Sequence, residues 1–179
     1  MRIGISGAQS VGKTTILNAL RSEDIFKEYS ICNEVTRKVR DYGLPINEEG
    51  TDVTQKLIMQ EHIVNVFMHD RMLTDRTVLD GIVYTTWLHE NGKVTDATLE
   101  HSLSIFEKLI GKYDLLFYIK PEFDMEDDGV RSVDIKYRNR IVELFINMID
   151  FYKVDVIQLT GSVRERVQQV LNVMENHNE

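Results

Sequence analysis

A phosphate-binding loop lies almost at the beginning of the chain. Residues 7–14 read Gly-Ala-Gln-Ser-Val-Gly-Lys-Thr, a complete G-x-x-x-x-G-K-[ST] pattern. A strand-like run precedes the loop and a helix-like run follows it, which is the context that this motif requires. Gly7 and Gly12 let the backbone curl so that successive N–H groups point at phosphate oxygens, and the next helix presents its N-terminal dipole to the same anion. The sequence therefore predicts a nucleoside triphosphate site.

Two side chains of this loop have expected roles in that site. Lys13 can reach the β- and γ-phosphates of ATP, and the Thr14 hydroxyl can bind Mg²⁺. ATP and Mg²⁺ are therefore the expected cofactors. The residues expected to bind the nucleotide are Gly7, Ala8, Gln9, Ser10, Val11, Gly12, Lys13, Thr14 and Thr15.

Strand and helix signals alternate along the rest of the chain. Strands are predicted at 2–6, 29–33, 72–75, 115–120 and 154–159, and helices at 13–20, 36–41, 53–69, 79–90, 95–110, 134–151 and 163–176. The fourth and fifth strands are apolar runs rather than alternations, which indicates a parallel sheet covered on both faces. We therefore expect one α/β domain over residues 1–179, a three-layer sandwich with five parallel strands and a ligand site at their carboxyl ends.

Two pairs of residues predict the N-terminal caps of two helices. Asp52 with Gln55 has the spacing of a capping box before the long third helix, and Ser162 with Glu165 has it before the last helix.

The segment after the second predicted strand carries a carboxylate and a guanidinium, Glu34 and Arg37. Glu34 can take a proton from an acceptor hydroxyl or hold a water on Mg²⁺. It is also compatible with a solvated residue that favours the helix N-terminus.

The third predicted strand ends in Asp75-Arg76-Thr77. Asp75 is placed to complement Thr14 in binding magnesium, and Arg76 offers a bidentate fork for a phosphate or an acceptor. The alternative is an ion pair that closes the strand. An Arg follows Asp75 where many mechanical ATPases have a water-activating Glu, which points away from a motor protein.

A polar segment that contains Gly129 and Arg131 follows the fourth predicted strand. It suits a lid over about residues 121–140, in which Arg131 stabilises charge on the transferred phosphoryl group. An exposed loop is the equal alternative. Arg138 and Arg140 on the next helix are further candidates for the same role.

Composition excludes several classes of protein. The net charge of −8 argues against tight non-specific binding to nucleic acid, and no apolar run is long enough for a transmembrane helix. The single cysteine, Cys32, excludes an intrachain disulfide and is expected to be a small core residue. With a loop so close to the first residue, these features lead us to expect a cytoplasmic protein without a signal peptide.

The phosphate loop, Glu34 with Arg37, the Asp75-Arg76-Thr77 triplet and the segment 128–131 together resemble P-loop small-molecule kinases. The similarity is greatest to the NadR-like AAA-type domain group, which is related to ribosylnicotinamide kinases and frequent in bacteriophages, and it covers nearly the whole chain. Deoxynucleoside and thymidylate kinases are similar in design. The resemblance implies a P-loop NTPase fold with strand order 2-3-1-4-5.

The resemblance also implies roles for individual residues. Glu34 takes the place of the base that acts on a sugar hydroxyl, Asp75 and Arg76 contact the acceptor side, and Arg131 belongs to the lid. The catalytic group is then Lys13, Glu34, Asp75, Arg76 and Arg131, while Glu34, Arg37, Asp75 and Arg76 bind the substrate and Thr14 and Asp75 bind the metal.

The expected function is an ATP- and Mg²⁺-dependent phosphotransferase that acts on a small nucleoside or nucleotide. A nucleotide-dependent switch or ATPase module and a kinase for modified DNA are the alternatives. A GTPase would carry an Asn-Lys-x-Asp motif, which this sequence lacks. The number of subunits stays open, a homodimer included.

Overall fold

A computed structural model describes residues 1–121 and 135–177 of the chain. These residues form five strands and seven α-helices. The strands are β1 (Arg2–Ser6), β2 (Ser30–Cys32), β3 (Met72–Asp75), β4 (Leu115–Ile119) and β5 (Ile157–Leu159). The helices are α1 (Lys13–Leu20), α2 (Val35–Asp41), α3 (Asp52–Met68), α4 (Val78–Glu90), α5 (Asp96–Leu109), α6 (Ile135–Tyr152) and α7 (Val163–His177).

All five strands are parallel, in the order β2-β3-β1-β4-β5, which confirms the expected topology. The central strand β1 pairs with β3, with Ile3 opposite Leu73, and with β4, with Ile5 opposite Phe117. Every residue of β3 and β4 is buried, as expected for strands that helices cover on both faces. One group of helices contains α1 and α7, and a second contains α2, α3, α4, α5 and α6.

The last strand is shorter than the sequence predicts, because the run from residue 154 first completes the end of α6. The Val154 N–H donates to the Ile149 carbonyl, and Lys153 has a left-handed backbone conformation with φ +52°. These are the contacts of a helix C-terminus, so residues 154–156 do not pair with β4.

The start of α3 differs from the prediction, while the start of α7 confirms it. Thr51 and Thr54 form the capping box of α3, and Asp52 instead accepts hydrogen bonds of 2.9 Å from Thr95 beside α5. Thr51 has the extended backbone that a helix cap needs, so the expected Asp52 cap was wrong by one position. Ser162 and Glu165 exchange hydrogen bonds before α7 as expected.

Cys32 is buried at the end of β2, and its burial raises the pKa of the thiol to about 11. This agrees with a small core residue rather than a nucleophile. Across residues 1–121 and 135–177, no helix combines the length and the apolar character needed to span a bilayer.

Candidate nucleotide and acceptor site

The phosphate loop turns sharply between β1 and α1. Gly7, Ser10 and Gly12 all have positive φ, at +149°, +61° and +90°. A Cβ at position 7 would lie 2.6 Å from the Ile119 carbonyl oxygen, so only glycine fits between the loop and β4. The loop therefore has the curled backbone that directs amide groups toward an anion.

Lys13 is buried under this loop with only 5% of its surface exposed. Its Nζ donates hydrogen bonds of 2.7 and 2.6 Å to the carbonyls of Gly7 and Ala8. Burial, reinforced by the charge of Arg76, lowers the pKa of Lys13 to about 8 in spite of nearby carboxylates. A triphosphate in the loop would offer this ammonium stronger acceptors than two carbonyls.

Thr14 and Asp75 are joined where α1 begins and β3 ends. The Thr14 Oγ1 donates a 2.5 Å hydrogen bond to Asp75 Oδ2, and Asp75 is only 1% exposed. The other oxygen of Asp75, Oδ1, is buried and has no hydrogen-bond partner among the described residues. A hydroxyl beside a carboxylate with a spare oxygen fits a hydrated Mg²⁺, which binds one or two protein ligands together with phosphates.

The metal would depend on the nucleotide for its remaining ligands. In the part of the chain that the structure describes, no group of three or more His, Cys, Asp and Glu side chains could hold an ion. Phosphate oxygens and waters are the partners that Mg²⁺ prefers in such a site.

Arg76 occupies the position after β3 in a left-handed backbone conformation, with φ +77°. Its N–H donates to the Ile5 carbonyl at 2.9 Å, and its own carbonyl accepts a bond of 3.0 Å from the Thr74 hydroxyl. Such a conformation is strained for a residue with a side chain, and strain of this kind collects at functional sites.

The Arg76 guanidinium is buried among two carboxylates and a ring. Its Nε donates a 2.7 Å bond to Glu34 Oε1, its Nη1 lies 3.5 Å from Asp80 Oδ1, and its Cζ lies 5.0 Å from the centre of the Tyr84 ring. The cation therefore ties the end of β2 to the end of β3 and to α4.

Glu34 is held on both of its oxygens. Oε1 accepts from Arg76, and Oε2 accepts a 3.1 Å bond from Arg37 Nε. Burial opposes its charge, but the guanidinium of Arg76 and the two hydrogen bonds outweigh burial and lower the pKa of Glu34. Glu34 is thus an ionised carboxylate clamped between two arginines rather than a solvated residue.

Asp80 is part of the site although it was not among the predicted site residues. Its Oδ2 accepts from the Thr77 N–H at 3.0 Å, and Oδ1 accepts from the Gly7 N–H at 3.4 Å. Burial raises the pKa of this carboxyl despite the charges of Lys13 and Arg76. The capping pattern Thr77-x-x-Asp80 was the available signal, since it places a carboxylate beside the end of β3.

Tyr84 connects Arg76 to the phosphate loop. Its hydroxyl donates a 2.8 Å bond to Gln9 Oε1, and its ring packs edge-on against Tyr137 at 6.4 Å. Trp87 packs against the same ring at 4.5 Å. Tyr84 and Trp87 are therefore partly buried and pack against the core, and no local sequence signal indicated the contact with Gln9.

Arg166 supports the loop from the opposite end of the chain. Its Nη1 donates a 3.1 Å bond to the Val11 carbonyl, and a Cβ on Gly12 would lie 3.9 Å from the same nitrogen. Arg166 is buried on α7, 155 residues away from Val11 in sequence, so no motif could have indicated it.

A cleft of about 620 Å³ opens above these residues. One side is the phosphate loop with Lys13 and Thr14, and the other is Glu34, Arg37 and Arg76. The structure therefore brings together most of the predicted site, with Asp75 bonded to Thr14 just behind the wall. Arg131, expected in a lid, lies outside the described residues.

The cleft also includes residues that were not among those predicted for the site. Arg40 on α2, together with Ile46 and Asn47 in the loop before α3, lines its outer side. A small recess of about 20 Å³ adjoins the cleft beneath Thr36 and Asn47, and the buried His62 lies on its wall. A space of this size admits about one water molecule.

The two alternative lid residues on α6 differ in their surroundings. Arg138 is buried, and Arg140 donates bonds of 3.0 and 2.6 Å to Glu90 at the end of α4. Arg140 also pairs with Glu143, one turn along α6. Arg140 is therefore committed to carboxylates away from the cleft.

The parallel sheet, the curled loop and the Thr14–Asp75 pair define a P-loop nucleotide-binding protein with a kinase-like α/β fold. A family model described as an AAA domain matches residues 2–166, which is most of the chain. The chain belongs to this AAA-domain family. No curated protein sequence is significantly similar to it.

Several solved structures share the fold at low sequence identity. A NadR protein in complex with NR has a TM-score of 0.71 and 17% identity over 97% of this chain and 50% of its own, so this chain spans about half of the NadR chain. A deoxyadenosine kinase from M. mycoides has a TM-score of 0.69 and 13% identity over 98% and 99% of the two chains. The YorR protein from Bacillus subtilis, in complex with phosphorylated GDP, has a TM-score of 0.64 and 17% identity over 100% and 99%.

Proposed function

We propose that this protein is a kinase that transfers the γ-phosphoryl group of ATP to a small nucleoside- or nucleotide-type acceptor. The observation that carries the proposal is the cleft itself, in which a phosphate loop faces the buried Arg76 and the Glu34 carboxylate that Arg76 and Arg37 both contact. A protein that only bound ATP would need the first side of this cleft and not the second. The kinase folds found among similar structures support the same assignment.

ATP would lie with its β- and γ-phosphates in the loop of residues 7–15. Lys13 would exchange its bonds to the Gly7 and Ala8 carbonyls for phosphate oxygens and neutralise charge that develops there. Thr14 and Asp75 would hold Mg²⁺, which when bound neutralises and orients the phosphates. The network from Asp80 to Gly7 and from Tyr84 to Gln9 keeps the loop in place for this task.

The acceptor would enter from the side of α2. Arg76 and Arg37 would orient it, and Glu34 would accept a proton if the attacking group is a hydroxyl. Arg131 would act from the lid to exclude water and stabilise the transferred group. The single cysteine, Cys32, is buried and free, which is compatible with the cytoplasm as the place of action.

Production of ADP tests the proposal. The protein would be mixed with Mg²⁺, ATP and a panel of nucleosides, nucleoside monophosphates and nicotinamide riboside, with Lys13→Ala as the blank. We expect ADP formation that depends on an acceptor and is absent in the variant. ATP binding without stimulation by any acceptor would contradict the kinase assignment and favour a nucleotide-dependent switch.

A further inference from the structure

We infer that the acceptor already carries a phosphate, as a nucleoside monophosphate does, and that Arg37 and Arg40 of α2 bind this phosphate. The inference rests on the proposed function and narrows it, since that function allows either a nucleoside or a nucleotide. It is carried by the charge and placement of the side chains around the cleft.

The cleft is cationic although the chain is acidic. Its charged lining among the described residues consists of Lys13, Arg37, Arg40 and Arg76 against a single carboxylate, Glu34. The whole chain has a net charge of −8. Concentrating positive side chains in one cleft of such a protein focuses the field there and attracts anions.

These cations lie in two places, at the phosphate loop and on α2, and so form two separate anion sites. The phosphate loop follows β1, whereas α2 follows β2, and β3 lies between these two strands. Neighbouring strands are about 4.8 Å apart, so α2 begins roughly 10 Å across the sheet from the loop. Lys13 and the loop amides would bind the phosphates of ATP. The α2 arginines would then face the acceptor beside the γ-phosphate.

Arg37 and Arg40 are placed to bind a ligand and contribute little to the stability of the fold. They are three residues apart on α2, and both line the cleft, with 56% and 61% of their side chains exposed. Arg37 bonds to Glu34 through Nε, and Arg40 pairs at 3.4 Å with the adjacent Asp41. Exposed pairs of this kind stabilise a fold very little, whereas two guanidinium forks side by side match the oxygens of a phosphate.

The hydrogen bonding of Glu34 agrees with an acceptor that reacts without a general base. Both of its oxygens already accept hydrogen bonds from Arg76 and Arg37. A phosphate monoester is mostly a dianion at neutral pH, so its oxygen can attack without losing a proton. The acceptor oxygen forms a bond to the γ-phosphorus, the bond from that phosphorus to the β,γ-bridging oxygen breaks, and ADP leaves with the electron pair. Glu34 then orients Arg76 and Arg37 instead of moving a proton.

Matched pairs of acceptors test the inference. ADP production would be measured with each nucleoside and its own 5′-monophosphate under identical ATP and Mg²⁺. We expect at least one monophosphate to have a kcat/KM about a hundredfold above that of its nucleoside. Turnover of nucleosides with inactive monophosphates would overturn the inference and leave the proposed function intact, whereas no turnover with either would overturn both.

Variants of the two arginines then assign the phosphate contact. We expect Arg37→Gln and Arg40→Gln each to raise the KM for the monophosphate about tenfold, with kcat and the KM for ATP within about threefold of the unchanged protein. Arg21→Gln, which removes an exposed arginine outside the cleft, should change none of these constants. A rise in the KM for ATP instead would show that α2 binds the donor and would overturn the assignment. Melting temperatures of the three variants establish that they are folded.

Discussion

Arg76 and Glu34 form a buried ion pair that joins the ends of β3 and β2, with a distance of 2.7 Å between Nε and Oε1. The two residues are 42 positions apart in sequence and come together because β2 and β3 are neighbours in the sheet. Their side chains are only 9% and 17% exposed, so the pair is shielded from water. This places a shielded ion pair at the carboxyl ends of β2 and β3, where both residues line the cleft.

We expect Arg76→Gln to lower the free energy of unfolding by roughly 3 kcal/mol, because it leaves buried carboxylates without their cation. Urea denaturation measures this change. Arg71→Gln is the matched control, since it removes an exposed arginine from its surface pair with Glu28 and should cost under about 1 kcal/mol. Equal effects of the two variants would contradict the stabilising role of the buried pair.

We expect Asp75→Asn to raise the Mg²⁺ concentration needed for half-maximal ADP production by tenfold or more, because the amide cannot supply the anionic oxygen that a hydrated metal needs. A Mg²⁺ titration at saturating ATP measures the shift. Thr14→Ser keeps the hydroxyl and should keep the metal dependence within about threefold. An unchanged titration of the Asp75 variant would exclude this carboxylate from metal binding.

The lowered pKa of Lys13 predicts a pH dependence of nucleotide binding. With a pKa of about 8 in the free protein, Lys13 loses its proton as the pH rises above 8, and phosphates bind only the ammonium form well. Affinity for ATP should therefore fall by up to about tenfold per pH unit above pH 8, with proton uptake on binding. Calorimetry in buffers of different ionisation enthalpy measures both effects. A Lys13→Met protein should bind weakly and show no such fall between pH 8 and 9.5; the same fall in that variant would assign the proton to another group.

The lowered pKa of His62 predicts that the free energy of unfolding depends on pH. Burial, with a contribution from Arg76, lowers the pKa of this histidine to about 3, whereas the unfolded chain has a value near 6.5. Between these values the unfolded chain binds a proton that the native protein does not. Stability is therefore fully present above pH 6.5 and falls as the pH decreases, by up to about 1.4 kcal/mol per unit.

Urea denaturation at pH 7, 6 and 5 tests this effect of His62. We expect His62→Gln to lose stability less steeply with falling pH than the unchanged protein does. His101→Gln, at an exposed position, should keep the original slope. Identical slopes in all three proteins would assign the acid sensitivity to other groups.

The contact between Arg166 and the phosphate loop predicts that α7 contributes to nucleotide binding. Its bond to the Val11 carbonyl supports the outer side of the phosphate loop, so Arg166→Ala should raise the KM for ATP roughly tenfold while the KM for the acceptor changes little. Steady-state kinetics with each substrate varied in turn measure the two constants. Arg164→Ala alters an exposed arginine of the same helix and should leave both unchanged.

The phosphate loop could be predicted from eight adjacent residues, because its function depends on local backbone conformation. Gly7 and Gly12 adopt positive φ where the motif requires it, and Lys13 donates hydrogen bonds to the Gly7 and Ala8 carbonyls of the loop. The parallel strands were also predictable from their apolar runs, although β5 is shorter because residues 154–156 complete α6 and turn into the strand.

Contacts between distant residues could not be predicted in this way. Asp52 has the sequence pattern of a helix cap, but the chain uses Thr51 as the cap and turns Asp52 toward Thr95. Likewise, Tyr84 has an ordinary core pattern along α4, and its bond to Gln9 exists only because α4 packs beside the loop.

Local sequence was thus sufficient for the loop, the alternation of strands and helices, and the presence of charged residues at strand ends. Only the folded chain decided which of those charges meet: Arg76 with Glu34 and Asp80, Thr14 with Asp75. The reason is physical, since φ and ψ preferences act between neighbours in sequence, whereas hydrogen bonds, burial and shifted pKa values depend on which strand ends and helices lie next to each other in space.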